Sequence, residues 1–349
     1  MLTLITGGAG FVGCNLATSL AEAGHDVVIV DDLSRAGSAA NLAALRHRAA
    51  TGGRIEYVQL DVRDPAACAT LLASRPFDAV AHLAAQVAVT DAIADPLTDQ
   101  DINVRGTLNM LDAVRRHRPG ATFVFTSTNK VYGALSDIVS QAEAKRYVLV
   151  DYPNGISEDF PTAPVTPYGC SKLSADCYVR DYAQTFGLRT VVLRMSCIYG
   201  DWQNGTEDQG WVNWLVRAAV RDDPVTIYGD GLQVRDLLHV DDLVPVITAA
   251  LRGECGAGDV FNVGGGPQFS LSVWAEFGGL LERLIGRPIS VSYAPARPGD
   301  QKVYISDTTR IARQIGWKPR KAPADGIAEM VDRVTEREKG RRITEGSRR

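Results

Sequence analysis

The 349 residues lack several features that would assign a function at once. The six cysteines, Cys14, Cys68, Cys170, Cys177, Cys197 and Cys255, show no Cys-x-x-Cys spacing and no histidine partners, which argues against a zinc site or a disulfide framework. The five histidines are scattered, and no two stand at the spacing of a helical metal pair. No metal is therefore expected. A net charge of −4 supplies no basic field for nucleic acid or an anionic membrane surface. No run of about 20 apolar residues occurs, and the chain enters an apolar strand at Leu2 without a basic leader, so it reads as cytoplasmic. No internal repeat is visible.

What is present is an alternation of short apolar runs with helical patterns. Strands are expected at Leu2–Thr6, Val27–Val30, Glu56–Gln59, Ala79–Leu83, Thr122–Thr126 and Arg189–Arg194, with helices at Phe11–Ala23, Ala66–Ser74, Asn103–His117 and Pro167–Phe186. Apolar strands separated by helices imply an α/β fold built on a doubly wound parallel sheet of the Rossmann kind. After about residue 196 the texture shifts to short strands and polar loops, the pattern of a smaller α/β substrate lobe. The expected division is a dinucleotide-binding domain over 1–196 and 226–254, a smaller lobe over 197–225 and 255–337, and a charged, disordered tail over 338–349. Residues 134–160 read as a long polar insertion, an ordered flap.

Gly7-Gly8-Ala9-Gly10-Phe11-Val12-Gly13 follows a strand and opens a helix, the context in which glycines admit a pyrophosphate to a helix N-terminus. Asp31 ends the second strand, where a carboxylate would bond the adenosine ribose and repel a 2′-phosphate; NAD is favoured over NADP, with Arg35 tempering the preference. Asp61 after the third strand is placed to meet the adenine. The expected cofactor-binding set is Gly7, Gly10, Phe11, Val12, Gly13, Asp31, Asp32, Ser34, Arg35, Asp61, Val62, Leu83, Ala84, Ala85, Gln86 and Asn103, together with Tyr168 and Lys172.

Tyr168 and Lys172 lie four apart in a helix capped by Thr166 and closed by Gly187, so they share one face. Oxidation of an alcohol needs a base, and a free tyrosine, with a pKa of about 10, is too weakly acidic to ionise near neutrality. A lysine ammonium and the positive nicotinamide would stabilise the phenolate. Thr128, at the end of the fifth strand, would bond the sugar oxygen and the phenol. Water-eliminating enzymes of this design place an acid and a base directly after that threonine. Asn129 and Lys130 stand there instead, so transient oxidation and re-reduction is expected rather than dehydration.

With these residues the chain resembles the extended short-chain dehydrogenases/reductases that act on nucleotide sugars, over about residues 1–335. Thr126-Ser127-Thr128-Asn129-Lys130-Val131-Tyr132-Gly133 and Glu207-Asp208-Gln209-Gly210-Trp211 are similar to the CDP-paratose 2-epimerase group, also called CDP-tyvelose epimerases. So is Tyr228-Gly229-Asp230-Gly231-x-Gln233-Val234-Arg235-Asp236. The resemblance implies a retained NAD, a catalytic trio of Thr128, Tyr168 and Lys172, and Arg235 at the substrate diphosphate. It further implies a substrate set of Gln86, Thr128, Asn129, Lys130, Gln209, Trp211, Arg235 and Arg297, and a homodimer packed through helices 103–117 and 167–186. Asp201-Trp202 and Ala85 depart from the usual residues of such chains, which leaves open inversion at C4 of a UDP-, GDP- or dTDP-sugar. A reductase that releases its cofactor each cycle, and a dinucleotide-sensing partner protein, are the other readings.

Overall fold

A computed structural model describes residues 1–47 and 52–346. Seven strands form one wholly parallel sheet, in the order Ile55–Gln59, Asp26–Asp31, Leu2–Thr6, Ala79–His82, Thr122–Thr128, Arg189–Met195 and Asp259–Val263. Strand side chains alternate between faces, and both faces are apolar. Ile5, Ile29 and Val124 pack on one side with Leu16, Leu243 and Ile247. Leu4, Val28, Phe123 and Phe125 pack on the other with Met110, Leu111 and Val179. The strand order reverses between Leu2–Thr6 and Ala79–His82, and ligands of such sheets bind at the carboxyl ends of the strands flanking that point.

The helix Pro167–Phe186 forms as its end signals require. Thr166 accepts from the Gly169 amide at 3.2 Å, Pro167 occupies the first turn, and Gly187 closes the helix at φ +69°. Such a cap contributes about 1 kcal/mol. The expected helix at Asn103–His117 starts differently: a wide π-turn spans Asp101–Arg105 before the α-helix Gly106–His117. That turn buries Asn103.

The smaller lobe has its own core, in which Val212, Leu215 and Val216 meet Ile227, Phe277, Leu281, Ile327 and Met330. Val225–Tyr228 pairs in parallel with Val291–Ala294 there. The lobe boundaries differ from the expected ones at three points. Asp259–Val263, assigned from sequence to the smaller lobe, is the seventh strand of the main sheet, because Phe261 and Val263 fill its core. Val225–Tyr228, most of it assigned to the dinucleotide-binding domain, belongs to the smaller lobe. The charged stretch from Glu338, expected as a disordered tail, continues the helix Pro323–Gly346, and Glu338 pairs with Arg221 at 2.5 Å; residues 347–349 lie outside the described residues. The 134–160 insertion is a hairpin of Ser140–Ala142 with Tyr147–Leu149, and Arg146 anchors it to Glu276 at 2.6 Å.

Candidate active site

At the switch point a cleft of about 460 Å³ runs along the carboxyl ends of the central strands. Gly7, Gly10, Phe11, Val12 and Gly13 form one wall, and Asp31, Asp32, Ser34, Arg35, Asp61 and Val62 another. Leu83, Ala84, Ala85 and Gln86 lead to Thr128, Tyr168 and Lys172 at the far end. Of the expected cofactor-binding residues, all except Asn103 line it.

The glycine turn has no room for side chains. A Cβ on Gly13 would stand 2.3 Å from the Gly7 carbonyl oxygen, and one on Gly7, at φ +68°, would stand 2.8 Å from the Ala84 amide nitrogen. Strand, turn and helix therefore approach as closely as bare backbone permits, which leaves the helix N-terminus open to an anion. Asp31 accepts from the Leu33 amide at 2.9 Å and the Ala9 amide at 3.1 Å, and burial raises its carboxyl above the ordinary value. Asp61 is gripped by Arg63 at 2.6 Å. Three polar atoms of the cleft wall, Gln86 Oε1, Ser127 Oγ and Gln203 Oε1, are buried without a protein partner. A cradle that excludes Cβ atoms, with orphaned acceptors farther along, fits a dinucleotide.

Asn103 sits behind the wall rather than in it. Its side chain accepts from the Gln86 amide at 3.0 Å and donates to the Gln86 carbonyl at 3.1 Å, fixing the turn that carries Leu83–Gln86.

Thr128, Tyr168 and Lys172, expected as a catalytic trio, lie together in the cleft. The phenol of Tyr168 is hydrogen-bonded to the Thr128 hydroxyl, and Lys172 stands on the same helix face over the Phe125 ring. The expectation that the lysine depresses the phenol is corrected for the protein alone. Burial pushes Tyr168 up to about 12, which the Thr128 bond only partly offsets, and burial draws Lys172 down to about 7. Desolvation disfavours both charged forms, and the nicotinamide charge on which the expectation also rested is no part of the chain. Buried His82 is held neutral, drawn down to about 3, and its ring is fixed by Thr6 at 2.7 Å and Thr107 at 3.1 Å.

The expected substrate residues divide. Gln86, Thr128 and Gln209 line the cleft, with Gln209 accepting from Arg35. Asn129, Lys130, Trp211, Arg235 and Arg297 do not line it. Trp211 packs on Phe277, its ring centroid 5.0 Å away, and belongs to the core of the smaller lobe. Arg297 covers the Tyr228 ring at 4.0 Å and pairs with Asp208 at 3.2 Å. Arg235 is buried and donates to Asp300 at 2.6 Å, not to either of the nearby aspartates in its own segment, and Lys130 reaches the same carboxylate at 3.4 Å. Sequence reading missed Asp300, which lies in a loop with no motif, and Ser127, Asn41, Gln203 and Asn204, which also line the cleft, as does Trp202, singled out above as a departure from the usual residues. The Thr126–Thr128 strand end was the one signal available for Ser127.

Comparison with known proteins agrees with this geometry. The chain is 41% identical over 338 residues to the CDP-paratose 2-epimerase of Salmonella typhi, covering 95% of this chain and 98% of that protein. It is 32% identical to the UDP-glucose 4-epimerase of Mycolicibacterium smegmatis, covering 95% and 98%. Among solved structures, the UDP-glucose 4-epimerase of Thermotoga maritima with UDP-glucose superposes with a TM-score of 0.83 at 29% identity, covering 97% of this chain and 99% of that one. The dTDP-glucose 4,6-dehydratase of Streptomyces venezuelae, solved with NAD, superposes at 0.82 with 30% identity, covering 97% and 98%. The match to the NAD dependent epimerase/dehydratase family spans residues 3–264. The chain belongs to the NAD dependent epimerase/dehydratase family.

Proposed function

We propose that this protein is an NAD-dependent epimerase of a nucleoside-diphosphate sugar, inverting C2 of a CDP-sugar through a transient ketone. The observation that carries this reading is the pairing of an assembled Thr128–Tyr168–Lys172 site with Asn129 and Lys130 outside the cleft. NAD, when bound, supplies the acceptor and later the donor of hydride. Tyr168 takes the hydroxyl proton as the ketone forms and gives it back as the alcohol is restored. Lys172 stabilises the phenolate between those events, and Thr128 orients the phenol and the substrate oxygen. Neither an amide nor a Lys130 ammonium tied to Asp300 can remove a proton beside a ketone as a carboxylate would, which disfavours dehydration. Lys130 and Arg235 share the one carboxylate of Asp300, so the three side chains carry one positive charge more than negative, which a diphosphate would complement.

The identity to the Salmonella enzyme favours C2 and a cytidine nucleotide. Inversion at C4 of a UDP-, GDP- or dTDP-sugar is the second reading, favoured by the superposition on a 4-epimerase. The proposal includes a cytoplasmic location and a homodimer packed through helices 106–117 and 167–186, to which exposed Tyr178 and Phe186 on the second helix lend support. No helix among the described residues is long and apolar enough to cross a membrane.

A panel of CDP-, UDP-, GDP- and dTDP-sugars, incubated in deuterated water and followed by NMR, tests the reading. A C2 epimer of a CDP-sugar without carbon-bound deuterium is the expected product. A 4-keto-6-deoxy product, or deuterium at the carbon beside the inverted centre, overturns it. Light scattering on the purified protein reads the dimer.

A further inference from the structure

Two carboxylates act on the Lys172 ammonium through their charge, and they are not equivalent. Asp176, one turn further along the same helix, is already engaged by Arg194 at 2.9 Å and Arg180 at 3.0 Å. Asp99 comes from the short helix Pro96–Gln100 and is buried with only neutral donors around it. Its Oδ1 accepts from Asn103 Nδ2 at 3.0 Å, Ser171 adds a hydrogen bond to the carboxyl, and its Oδ2 is buried without a partner. A buried carboxylate with one oxygen unsatisfied is costly unless a nearby cation compensates it. Lys172, next in the chain to the Ser171 that bonds this carboxyl, is the cation that acts on it; Arg35 draws the Tyr168 phenol down, Asp99 itself pushes that phenol up, and His82 is neutral.

Asn103 bridges this carboxylate to the cofactor wall. One side chain joins Asp99, the Ser171 hydroxyl at 3.0 Å and both backbone polar groups of Gln86. The π-turn at Asp101–Arg105 places Asn103 where it can reach all of them, a position at which such turns recur near functional sites.

We infer that Asp99 is a positioning residue of the proton-transfer site: its carboxylate holds Lys172 as an ammonium on the Tyr168 face, and Asn103 ties that arrangement to the Gln86 turn. The inference rests on the proposed role of Tyr168 and Lys172 but not on the identity of the sugar. Without the Asp99 carboxylate, only the already engaged Asp176 opposes the burial of Lys172, and the lysine loses its proton at lower pH.

The test is an NMR titration of lysine labelled with 13C at Cε, in the purified protein without added nucleotide sugar. The chain has seven lysines, so Lys172→Met assigns the signal by its disappearance. Wild-type Lys172 titrates near 7. In Asp99→Asn the midpoint moves to at least about tenfold higher proton concentration, and in Asp99→Glu it returns most of the way. A midpoint in Asp99→Asn within about twofold of wild type overturns the inference. Asp99→Ser, read in the same way, serves if the amide variant does not fold. Once a substrate is in hand, kcat falls about 10- to 100-fold in Asp99→Asn, while KM and retained NAD change less than about twofold. Equal losses in all three mark a merely structural residue. A failed sugar panel leaves the titration readable, so the two proposals fail separately.

Discussion

The ammonium of Lys172 stands over the Phe125 ring, with Nζ 4.1 Å from the ring centroid. Phe125 belongs to the central strand that ends in Thr128, and Lys172 to the helix that carries Tyr168. One aromatic face thus registers the helix against the strand, and the contact offsets part of the cost of burying a cation, about 1–2 kcal/mol in a desolvated setting.

The phenol is the first quantity to measure. In the protein alone its pKa lies near 12, so absorbance at the phenolate band should show no ionisation of Tyr168 at neutral pH. A positive nicotinamide beside it favours the charged form, and bound NAD should lower the midpoint. As a base, the phenol works when deprotonated, so turnover rises with pH through the lowered value. Tyr168→Phe should cut kcat by at least about 10²–10⁴-fold with NAD still bound, assayed as nucleotide released on denaturation. A variant with near-normal turnover would refute the assignment.

The glycine turn makes a prediction with an internal control. Gly13→Ala puts a methyl 2.3 Å from the Gly7 carbonyl oxygen and 2.7 Å from Gly8 Cα, backbone atoms that cannot step aside. The expected result is a loss of about 1–3 kcal/mol of stability and of the retained dinucleotide. Gly120→Ala meets nothing within 4 Å and lies outside the positive-φ glycines, so it should leave both unchanged. Thermal melts and cofactor content separate the two.

Arg235 bears on substrate affinity. Arg235→Met keeps an unbranched stem without the guanidinium and leaves Asp300 to Lys130. If the guanidinium meets a diphosphate, kcat/KM should fall about 10²-fold or more, mostly through KM. Arg235→Lys should recover only part of it, because an ammonium lacks the planar fork. Unchanged KM in both variants would return Arg235 to a purely structural pairing.

How much of this was legible in the sequence follows from which interactions are local. The helix Pro167–Phe186 was readable to the residue because Thr166, Pro167 and Gly187 are neighbours in the chain. The glycine turn and the Asp31 strand end were equally local. Asp259–Val263 was assigned to the wrong lobe because a short apolar strand looks alike in either sheet, and only its pairing with Val191–Met195 decides. Asp99 and Asp300 drew no role, and Asn103 was placed in the cofactor wall rather than behind it, because the contacts of each cross from one element to another. Asn103 touches Gln86 and Ser171, residues brought near by a π-turn that no spacing rule announces. Charged periodicity misled at the C-terminus, where Glu338 finds Arg221 on a distant helix.

Lys172 should also oppose stability, and the sign can be worked out. Its folded value, about 7, lies below the ordinary lysine value of 10.5, so between these the unfolded chain carries a proton that the native chain does not. Stability then rises with pH across that window, and below about 7 the full cost of the buried ammonium is present. Lys172→Met removes this cost. The melting temperature of Lys172→Met relative to wild type, in protein stripped of nucleotide, should be highest near pH 7 and decline toward pH 10. A difference that stays flat or grows with pH would mean that the lysine is solvated in the folded protein and that its burial shapes neither stability nor proton transfer.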